Sequence, residues 1–279
     1  SSFIIIIILN SFIIYNKGYP TRFFQTETFS LDNQLYKKNK YDAWDEIKQK
    51  NKFQNKEKNI LVIGDSHGLD TFLILNEKYN NEDIGLSYIW EELYCLKNLT
   101  NQKFCEKDLT QVQKEKIKKA DLIILSTSWI DRDIDNLDEI LKFLTNMEKN
   151  IVIWDKTPFF KWFNFFSELD LYVFKNGKLP NSQDLEILEK NNFLSINKYE
   201  ANVEELNNRV NQIALENDII VFNKIDYVCN RMEFKCKLLT NNNRKIFYDN
   251  NHYTLAGIKS FSKKIEKLGW FLTIEKFLK

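Results

Sequence analysis

The chain has 279 residues, 43% of them hydrophobic, enough for one large globular domain with a substantial core. Forty basic residues against thirty-nine acidic ones leave a net charge of +1, which argues against a nucleic-acid partner, because phosphate binding needs a clustered excess of Lys and Arg. Seven Gly and three Pro are too few for long disordered linkers.

Phe3 to Leu9 reads FIIIIIL and Ser11 to Tyr15 reads SFIIY. As a helix, this stretch would measure about 20 Å, short of a bilayer core of about 30 Å. Residues 1–18 are read as the end of a truncated transmembrane helix, with an apolar signal-peptide region or a buried strand as alternatives. Gly18 and Pro20 then mark a turn-like exit. Residues 19–58 read as a connector with one amphipathic helix carrying Tyr41, Trp44 and Ile47.

An α/β pattern begins at Asn59 and continues through residue 279. Asn59–Ile63 (NILVI), Asp121–Leu125 (DLIIL), Ile151–Trp154 (IVIW) and Ile219–Phe222 (IIVF) are short continuous apolar runs, as expected of strands buried on both faces. Glu82–Ile89 adds a further strand. Helices are expected over Leu69–Tyr79, Gln111–Ala120, Asp135–Lys149, Val203–Asn217 and Thr254–Leu268, the last capped by Thr254. Strands alternating with helices imply a parallel sheet covered on both sides, with its site beyond the carboxyl ends of the strands.

Gly64-Asp65-Ser66-His67 follows the first strand and precedes a helix. Ser66 would sit near a helix N-terminus, where backbone N–H groups stabilise developing negative charge. A serine nucleophile needs a base, and the chain holds only two histidines, His67 and His252. His67 adjoins Ser66 and reads as a structural residue of the loop. His252 closes Asp249-Asn250-Asn251-His252, just before the final helix, with Asp249 close enough to hold its ring. Asp65 reads as a turn or capping residue. The aromatic run from Phe159 to Phe166 (FFKWFNFF) could stack sugars, but core or lid is the commoner fate of such a stripe.

Cys95 and Cys105 form one close pair in sequence, Cys229 and Cys236 another. Two local disulfides and an oxidising compartment are the economical reading, four buried thiols the alternative. Neither pair has the spacing of a zinc site, and no metal is expected.

The G-D-S-H and D-x-x-H motifs together resemble the SGNH (GDSL-like) hydrolase superfamily. Asp249 to Gly257 (DNNHYTLAG) is similar to the D-x-x-H-L-[ST]-x-x-G segment of SGNH domains fused to the C-terminus of bacterial membrane O-acyltransferases (acyltransferase family three). The apolar start with Gly18 to Phe23, the Cys229 and Cys236 pair, and the turn Ser126-Thr127-Ser128-Trp129 fit that branch. The resemblance implies a flavodoxin-like three-layer α/β/α SGNH-hydrolase fold with a mainly parallel five-stranded sheet. It further implies a Ser66–His252–Asp249 triad that moves an acetyl group onto a cell-surface glycan, such as the O-antigen of lipopolysaccharide, on the periplasmic side of the inner membrane. The domain itself would need no cofactor: an N-terminal integral-membrane domain would supply the acyl group, from acetyl-CoA. The usual oxyanion Gly and Asn have no counterpart in a G-x-N-D block. The Ser66 backbone, Ser128 and Trp129, with the region of Ser87, are the remaining donor candidates. An esterase acting on acetylated glycans and a degenerate glycan-binding domain stay open as alternatives.

Overall fold

The computed structural model describes residues 26, 29–50, 53, 56–80, 82–100, 108–163, 166–196 and 203–279. In chain order its main elements are α1 (Asn33–Lys50), β1 (Lys58–Gly64), α2 (Ser66–Tyr79), β2 (Ile84–Trp90), α3 (Gln111–Lys119), β3 (Leu122–Ser126), α4 (Leu137–Asn146) and β4 (Asn150–Trp154). They continue with α5 (Glu168–Asn176), α6 (Ser182–Ser195), α7 (Val203–Glu216), β5 (Ile220–Phe222), α8 (Leu255–Lys267) and α9 (Trp270–Lys276). The strands form one sheet in the order β2-β1-β3-β4-β5, every pairing parallel. This is the parallel sheet expected from the apolar runs, in the flavodoxin-like order that the resemblance implies, with its switch point between β1 and β3. Among the described residues, no helix is long and apolar enough to cross a membrane. The segment 1–18, read as a membrane helix, lies outside the described residues.

Side chains alternate across a strand, so each apolar run feeds two cores. Ile60, Val62, Leu122, Ile124, Val152 and Trp154 face the layer holding Phe72 of α2 with Ile258, Phe261 and Ile265 of α8. Leu61, Ile63, Ile123, Leu125, Ile151 and Ile153 face the layer holding Ile117, Leu141, Leu144 and Val210. Burying both faces is what removes polar residues from these strands. Truncating one such side chain to alanine costs about 2–5 kcal/mol.

Two stretches depart from the sequence reading. Residues 29–50, taken as part of a connector, pack on the domain: Tyr41, Trp44 and Ile47 lie against the first core, and Lys40 is buried in an ion pair with Asp70 of α2 at 2.6 Å. Residues 168–195, given no element from the sequence, form α5 and α6. The first is opened by a capping box in which Ser167 and Asp170 bond each other's backbone N–H. In α6 the apolar residues are spread around the helix, leaving Ile187 and Leu194 exposed, so no apolar stripe announces it. The expected helix Asp135–Lys149 starts at Leu137, because Asp131–Asp135 forms a separate turn of helix. Cys229 and Cys236 are joined by a disulfide across a two-stranded ribbon. Cys95 is also disulfide-bonded, while Cys105 lies outside the described residues.

Candidate active site

The Ser66 turn is built where β1 ends against β3. A Cβ on Gly64 would lie 1.7 Å from the Ser126 carbonyl oxygen, so only glycine allows this approach. The Tyr88 hydroxyl donates to the carbonyls of Gly64 (3.0 Å) and Asp65 (2.6 Å), fixing the chain as it leaves the sheet. Asp65 caps α2: its Oδ1 accepts the His67 N–H at 2.8 Å, and its Oδ2 reaches across to accept the Ser128 N–H at 3.0 Å. Ser66 is thereby the first residue of α2, with its backbone N–H among those a helix leaves without an intrahelical partner.

The second half arrives from the segment before α8. Asp249 Oδ1 accepts the N–H groups of Asn251 (3.0 Å) and His252 (2.7 Å), which folds the loop back on itself. Its Oδ2 lies 2.8 Å from His252 Nδ1. His252 Nε2 lies 2.7 Å from Ser66 Oγ. With the Nδ1 proton directed at Asp249, Nε2 is left to accept the Ser66 hydroxyl proton. Burial pushes the Asp249 carboxyl up, but the hydrogen bond and charge of His252 and the two N–H bonds outweigh it and hold it below its ordinary value. The Phe160 N–H donates to the Asn250 carbonyl at 3.0 Å, and Tyr248 N–H to the His252 carbonyl at 3.1 Å, so the loop is anchored on both sides.

Residues 32–267 match the family described as "SGNH domain (fused to AT3 domains)". The chain belongs to this family. The periplasmic domain of a lipopolysaccharide acetyltransferase from Salmonella ser. Paratyphi A is similar in fold, at 16% identity and a TM-score of 0.56, over 77% of this chain and 84% of that one. An acetyl xylan esterase structure matches at 12% identity and a TM-score of 0.40, over 76% of this chain and 98% of that one. A putative platelet activating factor from Streptococcus pneumonia matches at 16% and 0.45, over 84% and 96%. No curated protein matches the chain.

Within this SGNH domain the donor candidates for an oxyanion fall out unequally. The Ser66 N–H stands at the start of α2. The Ser128 N–H is engaged by Asp65, and the Trp129 indole N–H donates to the Trp154 carbonyl at 2.9 Å. Trp129 holds a left-handed backbone (φ 48°) while fully buried, a strained conformation for a bulky residue. Ser87 pairs with Leu61 in the sheet, about 10 Å back along the strand direction from Gly64 at the usual rise, which removes it from the reacting edge.

His67 is buried rather than pointed into solvent, and its ring lies nearly parallel to that of His252, centroids 4.7 Å apart. Its Nε2 is 3.2 Å from Asn251 Nδ2. Burial, followed by the charges of His252, Lys224, Lys40 and Lys156, holds its proton affinity well below the ordinary imidazole range. His67 is therefore a neutral neighbour of the His252 ring. Tyr248 is also nearly parallel to the His252 ring, at 5.7 Å. Neither ring contact has a signature in the sequence, although Asn251 stands inside the motif itself. At the ends of β4 and β5, Asp155 Oδ1 accepts the Lys224 N–H at 2.7 Å. Burial pushes Asp155 up to about 7 and Lys224 down to about 8. Of the aromatic run, Phe160 is core and Phe159 lies 6.3 Å from His67, while 164 and 165 lie outside the described residues. Among the described residues no three His, Cys, Asp or Glu side chains gather as a metal site would require.

Proposed function

We propose that this SGNH domain transfers an acyl group, acetyl in the first instance, to a hydroxyl of a cell-surface glycan through an acyl-serine intermediate. Family membership supports acyl-transfer or ester-hydrolysis chemistry at a general level. The observation that carries the finer reading is the continuous chain Ser66 Oγ, His252 Nε2, His252 Nδ1, Asp249 Oδ2. In the first half-reaction His252 takes the Ser66 proton as Oγ attacks the acyl carbonyl, and Asp249 steadies the imidazolium that forms. His252 then protonates the departing group. In the second half a sugar hydroxyl gives its proton to His252 and attacks the acyl-serine, regenerating Ser66. The acyl group would come from the membrane acyltransferase domain to which such SGNH domains are fused, drawing on acetyl-CoA. The Cys229–Cys236 disulfide supports an oxidising, periplasmic side of the inner membrane.

One observation favours a second reading, a domain that binds glycan without chemistry. Asp65 occupies the Ser128 N–H, and losing one oxyanion donor typically lowers rate about 100- to 1000-fold. Mass spectrometry of the chain incubated with p-nitrophenyl acetate separates the two readings. The expected result is acetylation of Ser66, abolished in Ser66→Ala and His252→Ala. A folded, oxidised protein with no acetyl-serine and no ester turnover overturns the catalytic reading. Adding glycan acceptors then distinguishes transfer from hydrolysis, in which water replaces the sugar hydroxyl.

A further inference from the structure

Charge on this nearly neutral chain is unevenly placed. A cleft of about 800 Å³ runs between α8, the Cys229–Cys236 ribbon and the turn Thr240–Arg244, away from the Ser66 turn. Lys259, Lys263 and Lys267 line it from α8. Their spacing of four residues puts them in one stripe along the helix, about 12 Å from first to last at the helical rise. Lys237, Arg244 and Lys264 line it as well, making six; a seventh lining cation, Lys235, is paired with Glu186 and Glu233. Only Glu189 and Glu233 bring negative charge to the lining, and Glu233 is already paired with Lys235.

Lys114 and Lys118 of α3 share a four-residue spacing, but at three other places on the helices the neighbour four residues from a lysine is a carboxylate: Lys38 with Asp42, Lys142 with Asp138, Lys190 with Glu186. On α8 it is another lysine, and like charges at that spacing repel. Among the described residues none of these six cleft cations has an ion-pair partner. Lys264 is drawn inward to donate to the Cys229 carbonyl at 2.7 Å. Its burial first, and then the nearby Lys237 charge, push its proton affinity down against the opposing pull of Asp226.

The shape of the cleft selects among anionic partners. A bilayer is met by a convex face whose apolar side chains enter the interface. Here the cations line a concavity, interleaved with the amide and hydroxyl groups of Asn230, Thr240, Asn241, Asn242 and Ser260, which suit the hydroxyls and ring oxygens of sugars. The exposed Met232 and Phe234 sit at the ribbon's tip, outside the lining.

We propose that this cleft binds an extended acidic polysaccharide, its carboxylate or phosphate groups set against the Lys259–Lys263–Lys267 stripe. Resting on the function proposed above, that chain is the acceptor: α8 begins three residues after His252, so a glycan lying along the helix leads toward the acid–base loop. The membrane-anchored acyl donor and the acceptor would then approach the triad from different sides.

Binding is measured by affinity electrophoresis of the oxidised chain in gels containing polygalacturonate, dextran or no polymer, alongside sedimentation with phosphatidylglycerol vesicles. The expected result is retardation by polygalacturonate alone, weakening with salt. The triple variant Lys259→Glu/Lys263→Glu/Lys267→Glu is expected to bind at least about tenfold more weakly, a loss of about 1.4 kcal/mol, with circular dichroism verifying its fold. Lys142→Glu, a charge change outside the cleft, is expected to bind as the parent does. Unaltered binding by the folded triple variant, or no binding by the parent, overturns the proposal, as does a preference for vesicles over polymer. Ser66→Ala is expected to bind fully, so a failure of the acyl chemistry leaves the cleft measurement intact, and the reverse.

Discussion

The Ser66 turn and the His252 loop meet at the bond between Ser66 Oγ and His252 Nε2, and they are held by different means. Around Ser66 the backbone itself is wedged: Gly64 has no room for a Cβ beside Ser126, and Gly68 has little more. Around His252 hydrogen bonds hold the loop: the Asp249 carboxylate takes two N–H groups with one oxygen and the imidazole with the other, and the Phe160 and Tyr248 N–H groups anchor its carbonyls. The first half is specified by close packing, the second by charge and hydrogen bonding. Their failures should therefore differ, one appearing in stability and the other in rate.

Asp249→Asn is the sharpest break on the second half. An amide keeps the shape but cannot stabilise the imidazolium or hold the tautomer, so kcat for ester turnover is expected to fall about 1,000- to 10,000-fold with little change in Tm. A fall of less than about tenfold would mean that the loop, not the carboxylate charge, does the positioning. Gly64→Ala tests the first half. The added methyl must displace the Ser126 carbonyl, and denaturant unfolding is expected to show a loss of at least about 3 kcal/mol. Full stability with reduced turnover would instead show that β1 and β3 part easily. The smallest effect joins the halves through His67. Its proton affinity is held below the ordinary value in the folded state, so its contribution to stability is present above the unfolded imidazole value of about 6.5 and is lost as pH falls below it. The drop in Tm between about pH 7.5 and about pH 5 should be smaller in His67→Gln than in the parent. An equal drop would show that His67 is not buried neutral.

The same contrast explains what the sequence displayed. Four of the five strands announced themselves because burial on both faces excludes polar residues. That Ser66 and His252 would come together was legible because a chain with two histidines leaves few choices. The connection of Asp65 to Ser128 was not legible, nor was the His67–His252 stack, since both are long-range contacts between residues that look like ordinary loop residues. Among the described residues five lysines, Lys40, Lys97, Lys156, Lys224 and Lys245, are buried. Nothing local distinguishes them from surface lysines, because the acid opposite Lys40 lies 30 residues away and that opposite Lys245 lies 75 away. The helix α6 was missed for want of an apolar stripe, whereas α5 has one in Leu169, Tyr172 and Val173 and also the Ser167 to Asp170 capping pattern, both there to be seen.

The buried pair of Lys40 and Asp70 sets where this domain can be cut and joined. Asp70 lies four residues past Ser66 on the same helix and is 2% exposed, and its cation comes from α1, before the first strand of the sheet. A recombination that exchanged only the sheet and its later helices would leave that carboxylate buried without its ammonium, costing about 3–5 kcal/mol, directly beneath the helix that presents the nucleophile. The inheritable module is therefore larger than the α/β repeat suggests. Any graft of this domain onto another protein must carry α1 and the packed Phe29 and Leu31 with it, and the freedom to vary linker length begins only ahead of Phe29.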